Sequence, residues 1–213
     1  MSGLELAEED IGRRSQLKAW RASHLEELIP CWYDLFPEFA DPPLIDQPRR
    51  FQGAELRPQE AGWLFEHWIC EALRLAGGEE ILLDESVKVP SLNNEKVLEE
   101  IDGLAILGWQ GFLIQCKLEN HPTPFDSIAR LHLQVERRPQ GTLGLFFSRE
   151  YSTSAVELAR ELRPIRVLLP RVEEISLELK KPQPFDMLQL VRRKWRAVML
   201  YGRPDYELAM IKE

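Results

Sequence analysis

The stretch Glu99-Glu100-Ile101-Asp102-Gly103-Leu104-Ala105-Ile106-Leu107-Gly108-Trp109-Gln110-Gly111-Phe112-Leu113-Ile114-Gln115-Cys116-Lys117 holds two apolar runs separated by a glycine-flanked turn. Ile101 to Leu107 forms the first run, Phe112 to Ile114 the second, and a β-hairpin is the expected result. Strand side chains alternate between faces, so Gln115 and Lys117 share one side and Cys116 takes the other. Asp102 opens the first strand and Gln115 closes the second. Antiparallel pairing around the turn therefore returns an acid, a carboxamide and a lysine to one edge.

Those residue types suit phosphodiester hydrolysis. Mg²⁺, or Mn²⁺ in its place, asks for oxygen ligands, and charge building on the phosphate asks for a cation nearby. Asp102 and the Gln115 carbonyl oxygen can supply ligands, and the Cys116 backbone carbonyl a further one. Lys117 can supply positive charge, or orient and help deprotonate the attacking water.

The spacing of Asp102 to Gln115-Cys116-Lys117 resembles the pattern of the PD-(D/E)xK nuclease superfamily, and Ile114-Gln115-Cys116-Lys117 is similar to its Mrr-type restriction endonuclease branch. Upstream, Gly62-Trp63-Leu64-Phe65-Glu66 resembles the opening of that branch's first core helix, which implies that Glu66 reaches the metal site. Downstream, the helix carrying Gln134, the strand Gly144 to Ser148, the helix Ser154 to Leu162 and the strand Ile165 to Leu169 follow in the same order. The resemblance covers about residues 60–172. It implies an α/β, restriction-endonuclease-like core: a central mixed sheet of four to five strands flanked by helices, with N- and C-terminal helical extensions (1–59 and 173–213). Two features depart from the pattern. Asp102 follows Ile101 rather than a proline, and glutamine stands where a second acid is usual. Glu100, two residues before Asp102, either replaces that lost charge or is a solvated residue at the strand's start.

Composition sets the outer bounds. The 213 residues with 44% apolar content can bury one good core with appended helices. No run of eighteen apolar residues occurs, and the N-terminus is acidic rather than basic and then apolar, so a cytoplasmic protein off the membrane is expected. Cys31, Cys70 and Cys116 lack metal-ligand spacing and read as reduced core residues.

The net charge of −8 opposes a nucleic-acid partner, because phosphate binding draws on clustered Lys and Arg. Charge is uneven, however. Residues 79–102 hold eight acids and two lysines, while Arg192, Arg193, Lys194 and Arg196 form one basic cluster and Arg130, Arg137 and Arg138 another. Each cluster is either a DNA contact or a solvated helix face.

Along the chain, Leu4 to Leu28 reads as helix, and the prolines at 30, 37, 42, 43, 48 and 58 predict an irregular segment after it. That segment is rich in aromatics and packs either on the core or against a partner chain, the latter giving a homodimer. A central helix follows from Pro58 to Gly77-Gly78, then a strand over Ile81–Val89 with a bend at Asp84-Glu85-Ser86, and a turn at Ser91 to Glu95. His121, in the polar loop after Lys117, is a candidate substrate contact or base. Arg130 and Gln134 lie one turn apart on the next helix; the resemblance implies that Gln134 helps hold substrate or metal. The tail predicts a helix from Phe185 to Tyr201. No phosphate-cradling glycine loop occurs, so ATP-driven control would need a separate targeting or motor subunit.

Two functions follow. The first is a Mg²⁺-dependent nuclease acting on DNA, an endonuclease of restriction, defence or repair, using Glu66, Asp102, Gln115 and Lys117. The second is a catalytically inactive nuclease-fold protein serving as an interaction subunit. Acyl or glycosyl hydrolysis lacks a nucleophile elbow or a convincing nucleophile with its base.

Overall fold

The computed structural model describes residues 3–90 and 97–206, and the expected turn at Ser91 to Glu95 lies outside them. The chain divides into two compact units, Met1–Leu75 and Ala76–Glu213.

In the N-terminal unit, helix α1 (Gly3–Ala19) is followed by a short 3-10 turn and α2 (Leu28–Leu35). The helix expected to continue to Leu28 ends at Ala19 because α3 (Pro58–Gly77) claims the next backbone groups. Glu71 accepts from the Ala22 N–H, and Arg74 donates to the Ala22 carbonyl. Pro30 does not break α2, since it sits in the first turn, where a backbone N–H has no helical partner to lose. The proline-marked segment is thus more ordered than expected, and Arg50–Phe51 (β1) pairs with Ala54–Glu55 (β2) in a small hairpin. Trp32, Phe36, Phe65 and Trp68 are fully buried, and the rings of Phe36 and Trp68 each lie 4.4 Å from that of Trp32. Such contacts add to the area that each ring buries.

The C-terminal unit is built on a five-stranded mixed sheet, so the α/β expectation holds. Strands β3 (Ile81–Pro90), β4 (Val97–Leu107), β5 (Gln110–Lys117), β6 (Leu143–Ser148) and β7 (Val167–Leu168) lie side by side in chain order. β3, β4 and β5 run antiparallel, whereas β5, β6 and β7 are parallel. Parallel neighbours need crossovers, supplied by α4 (Phe125–Glu136) and α5 (Thr153–Glu161). β6 is buried at every position, as expected of a central parallel strand. Ile101, Leu113, Leu131, Phe146, Tyr151 and Ala155 belong to the core cluster. Gly144 permits the close approach of α4, because a Cβ there would meet Leu131 at 3.0 Å.

Two helices complete the unit. The Glu-rich stretch after β7 is helical, α6 (Val172–Leu179), with Glu174 and Glu178 turned inward to Lys194 and Arg193 of α7 (Met187–Tyr201). Asp186 caps α7 by accepting from the Leu188 and Gln189 N–H groups. No helix among the described residues is long and apolar enough to cross a membrane.

Candidate functional site

The hairpin forms where the sequence placed it, closing through Gly108-Trp109 with Gly108 at φ +60°. β4 and β5 pair from Leu107 opposite Gln110 to Gly103 opposite Ile114, and the ladder ends there. Side chains take over at the next step. Asp102 Oδ2 accepts the Cys116 N–H at 2.7 Å and the Gln115 Nε2–H at 2.6 Å. The structure thus brings Asp102, Gln115 and Cys116 together as register alone required.

β4 is irregular at this point. Ile101 and Leu104 both pack against the same core cluster although residues three apart should face opposite sides of a strand. Alternation is therefore broken between them. On β3, Ser86 lies opposite Asp102, between the pairs Glu85–Gly103 and Val87–Ile101, and adopts φ +55°. The bend expected at Asp84-Glu85-Ser86 is thus a local twist within a continuous strand. Asp102 is 7% exposed, a buried carboxylate at the kink.

Lys117 extends from the end of β5. Its Nζ donates to Ser127 Oγ of α4 at 3.3 Å and lies 3.0 Å from Glu119 Oε1. His121 Nδ1 sits 3.2 Å from the other Glu119 oxygen. Glu119 and Ser127 were not singled out in the sequence. The signal for Glu119 was available, because Gln115, Lys117 and Glu119 continue one period-two row. His121 is largely exposed and joins this row through Glu119 rather than through Asp102.

Arg130 and Gln134 lie on α4 beside the start of β4. With Glu99, Glu100, Leu133 and Arg137 they line an open hollow of about 270 Å³. Glu99, 8% exposed, is held by Arg137 Nη1 and Arg138 Nη2, both at 2.6 Å. Burial raises its pKa, but the hydrogen bonds and charges of Arg138 and Arg137 outweigh burial and hold it below the usual carboxylate value. Two arginines of the α4 cluster are thus bound to Glu99. In the C-terminal cluster, Arg193 pairs with Glu178, and the fully buried Lys194 pairs with Glu174 at 2.6 Å.

Glu66 belongs to the N-terminal unit. Its Oε2 lies 3.1 Å from Lys18 Nζ and 3.4 Å from Arg14 Nη2. Among the described residues no three His, Cys, Asp or Glu side chains gather as a metal cage. The oxygen donors at the hairpin edge are one carboxylate, one carboxamide and backbone carbonyls. That set fits a hard cation that keeps several waters, as Mg²⁺ does.

No family model matches the chain, and no curated protein sequence matches it. Among solved structures, the chain is similar to a protein of unknown function, AF1548, at 20% identity and a TM-score of 0.41, over 65% of this chain and 78% of that one. It is also similar to protein VC1899 from Vibrio cholerae (15% identity, TM-score 0.48, 79% of this chain and 54% of the other). A third is a type III CRISPR defence DNA nuclease activated by cyclic oligoadenylate (12%, TM-score 0.44, 88% and 28%).

Proposed function

We propose that this chain is a metal-dependent nuclease that hydrolyses DNA phosphodiester bonds, an endonuclease of restriction, defence or repair working in the cytoplasm. One observation carries the reading: Asp102 is braced on the Cys116 N–H and the Gln115 carboxamide at the end of a hairpin whose strand ends in Lys117. Asp102, the Gln115 oxygen and the Cys116 carbonyl would hold Mg²⁺, or Mn²⁺, which supplies a Lewis acid at the phosphate. Lys117 offsets charge at the phosphate and orients the attacking water, and Ser127 and Glu119 steady its ammonium. Glu66 is assigned a part by the resemblance to Mrr-type PD-(D/E)xK nucleases alone. His121 offers a further substrate contact, and a homodimer would present two such sites to a duplex.

The test is cleavage of supercoiled plasmid and linear DNA in Mg²⁺, Mn²⁺ or EDTA by the wild type, Asp102→Ala, Lys117→Ala and Glu66→Gln. Metal-dependent cutting by the wild type, lost with Asp102 and Lys117, is the expected result. Equal cutting by all proteins would signal a contaminant and end the reading.

A specific observation favours the second reading, a catalytically inactive nuclease-fold interaction subunit. Arg137, Arg138, Arg193 and Lys194 are engaged by carboxylates of the same unit, which leaves less basic surface for a duplex than the sequence suggests. Absence of both cutting and metal binding would select it.

A further inference from the structure

We propose that His121, oriented by Glu119, is the general acid of the cleavage step and protonates the bridging oxygen that leaves the phosphate. The inference rests on the nuclease reading and gives a residue to the half of the reaction that Lys117 does not serve.

Glu119 links the two halves. Its Oε1 lies 3.0 Å from Lys117 Nζ and its Oε2 lies 3.2 Å from His121 Nδ1, so a single carboxylate stands between the ammonium and the imidazole. In-line displacement at phosphorus asks for one group beside the attacking water and another beside the leaving oxygen, on opposite sides of the phosphate. Two nitrogens held apart by one carboxylate and its two contacts are spaced for that task. The loop that carries Glu119 and His121 leaves the carboxyl end of β5, next to the parallel strand β6. In open α/β sheets the crevice outside the carboxyl ends of the strands is where ligands bind.

The ring is set for the part. Nδ1 faces two acceptors, Glu119 Oε2 and, at 3.5 Å, the Pro122 carbonyl oxygen, so Nδ1 carries a hydrogen. Nε2 is then the nitrogen that exchanges a proton with a ligand, and it has no partner among the described residues. His121 is 69% exposed, and an ion pair at that exposure adds little to stability, so what Glu119 contributes is orientation. Imidazole is also the side chain that most readily gives up and regains a proton near neutral pH.

The step balances. The water oxygen bonds to phosphorus as the bond from phosphorus to the bridging oxygen breaks, and the electron pair of that bond stays on the bridging oxygen, which takes the proton of His121 Nε2. The attacking water releases its proton to solvent, and solvent returns one to the imidazole.

Sulfur in place of the leaving oxygen tests this, because a thiolate departs without needing a proton. Two DNA duplexes are compared in Mn²⁺, one with oxygen throughout and one with sulfur as the bridging atom, 3′ or 5′, at a bond that the wild type is first shown to break. His121→Gln should cut the oxygen duplex about a hundredfold more slowly than the wild type and the sulfur duplex at the wild-type rate. Lys117→Ala should lose activity on both, since sulfur leaves the attacking side unchanged. Equal cutting of the oxygen duplex by His121→Gln and the wild type, an equal loss on both duplexes, or rescue of Lys117→Ala by sulfur would overturn the inference and leave the nuclease standing. No cutting of either duplex by the wild type would overturn the nuclease reading and this inference with it.

Discussion

The seam between α1 and α3 in the N-terminal unit and the β4–β5 edge in the C-terminal unit hold their acids by different means. In the seam, Glu60 faces Arg13 and Arg57, Glu66 faces Lys18 and Arg14, and Glu71 faces Arg21 and Arg74. At the edge, Asp102 is braced by a backbone N–H and a carboxamide, donors that carry no charge. The difference shows that residue type does not assign a carboxylate its work. Acids set among guanidinium and ammonium groups hold helices together, whereas the acid at the edge takes its orientation from strand register through those two bonds.

Asp102 carries the largest expected effect. Asp102→Asn keeps an oxygen for the Cys116 N–H but loses the charge, and metal-dependent cleavage should fall about a thousandfold, roughly 4 kcal/mol in the barrier. Its urea midpoint should stay near that of the wild type; a variant that unfolds instead would return Asp102 to the seam's class. Glu71→Ala should do the opposite. Glu71 is 1% exposed and satisfies both Arg74 and the Ala22 N–H, so its loss should cost about 3 kcal/mol in urea unfolding.

Glu99 offers the finest cut, because it lies on Asp102's own strand yet behaves like the seam. Its pKa is held below the ordinary carboxylate value, so the folded state binds its proton more weakly than the unfolded chain does. The resulting stability is fully present above the unfolded pKa and is lost as pH falls through the lower folded value. Glu99→Gln should therefore cost about 1 kcal/mol at neutral pH and flatten the acid limb of the stability profile, measured by denaturation between about pH 2 and 7. An unchanged acid limb would mean that Arg137 and Arg138 do not stabilise the charged form.

Local signals carried the hairpin, α3 and the order of β6, α5 and β7, because apolar periodicity and turn glycines act over a few residues. The end of α1 was not legible: what stops it is the reach of Glu71 and Arg74 from about fifty residues away in sequence. The same holds for the basic clusters. Arg137 and Arg193 look like free cations in the sequence, and only tertiary placement sets Glu99 and Glu178 beside them. At the candidate site, Asp102, Gln115 and Cys116 were legible from antiparallel register. The twist at Ser86 was not, since it depends on how neighbouring strands settle against one another.

The two-residue closure at Gly108-Trp109 bears on how the edge assembles. The partners that Asp102 finds are 13 and 14 residues away along the chain, and everything between them is paired strand or tight turn. Loop-closure entropy for so short an excursion is small, and hairpins close within microseconds. The acid and its braces can therefore meet before the parallel crossovers through α4 and α5 are complete, so the geometry of this edge is written early in folding and the long-range contacts inherit it.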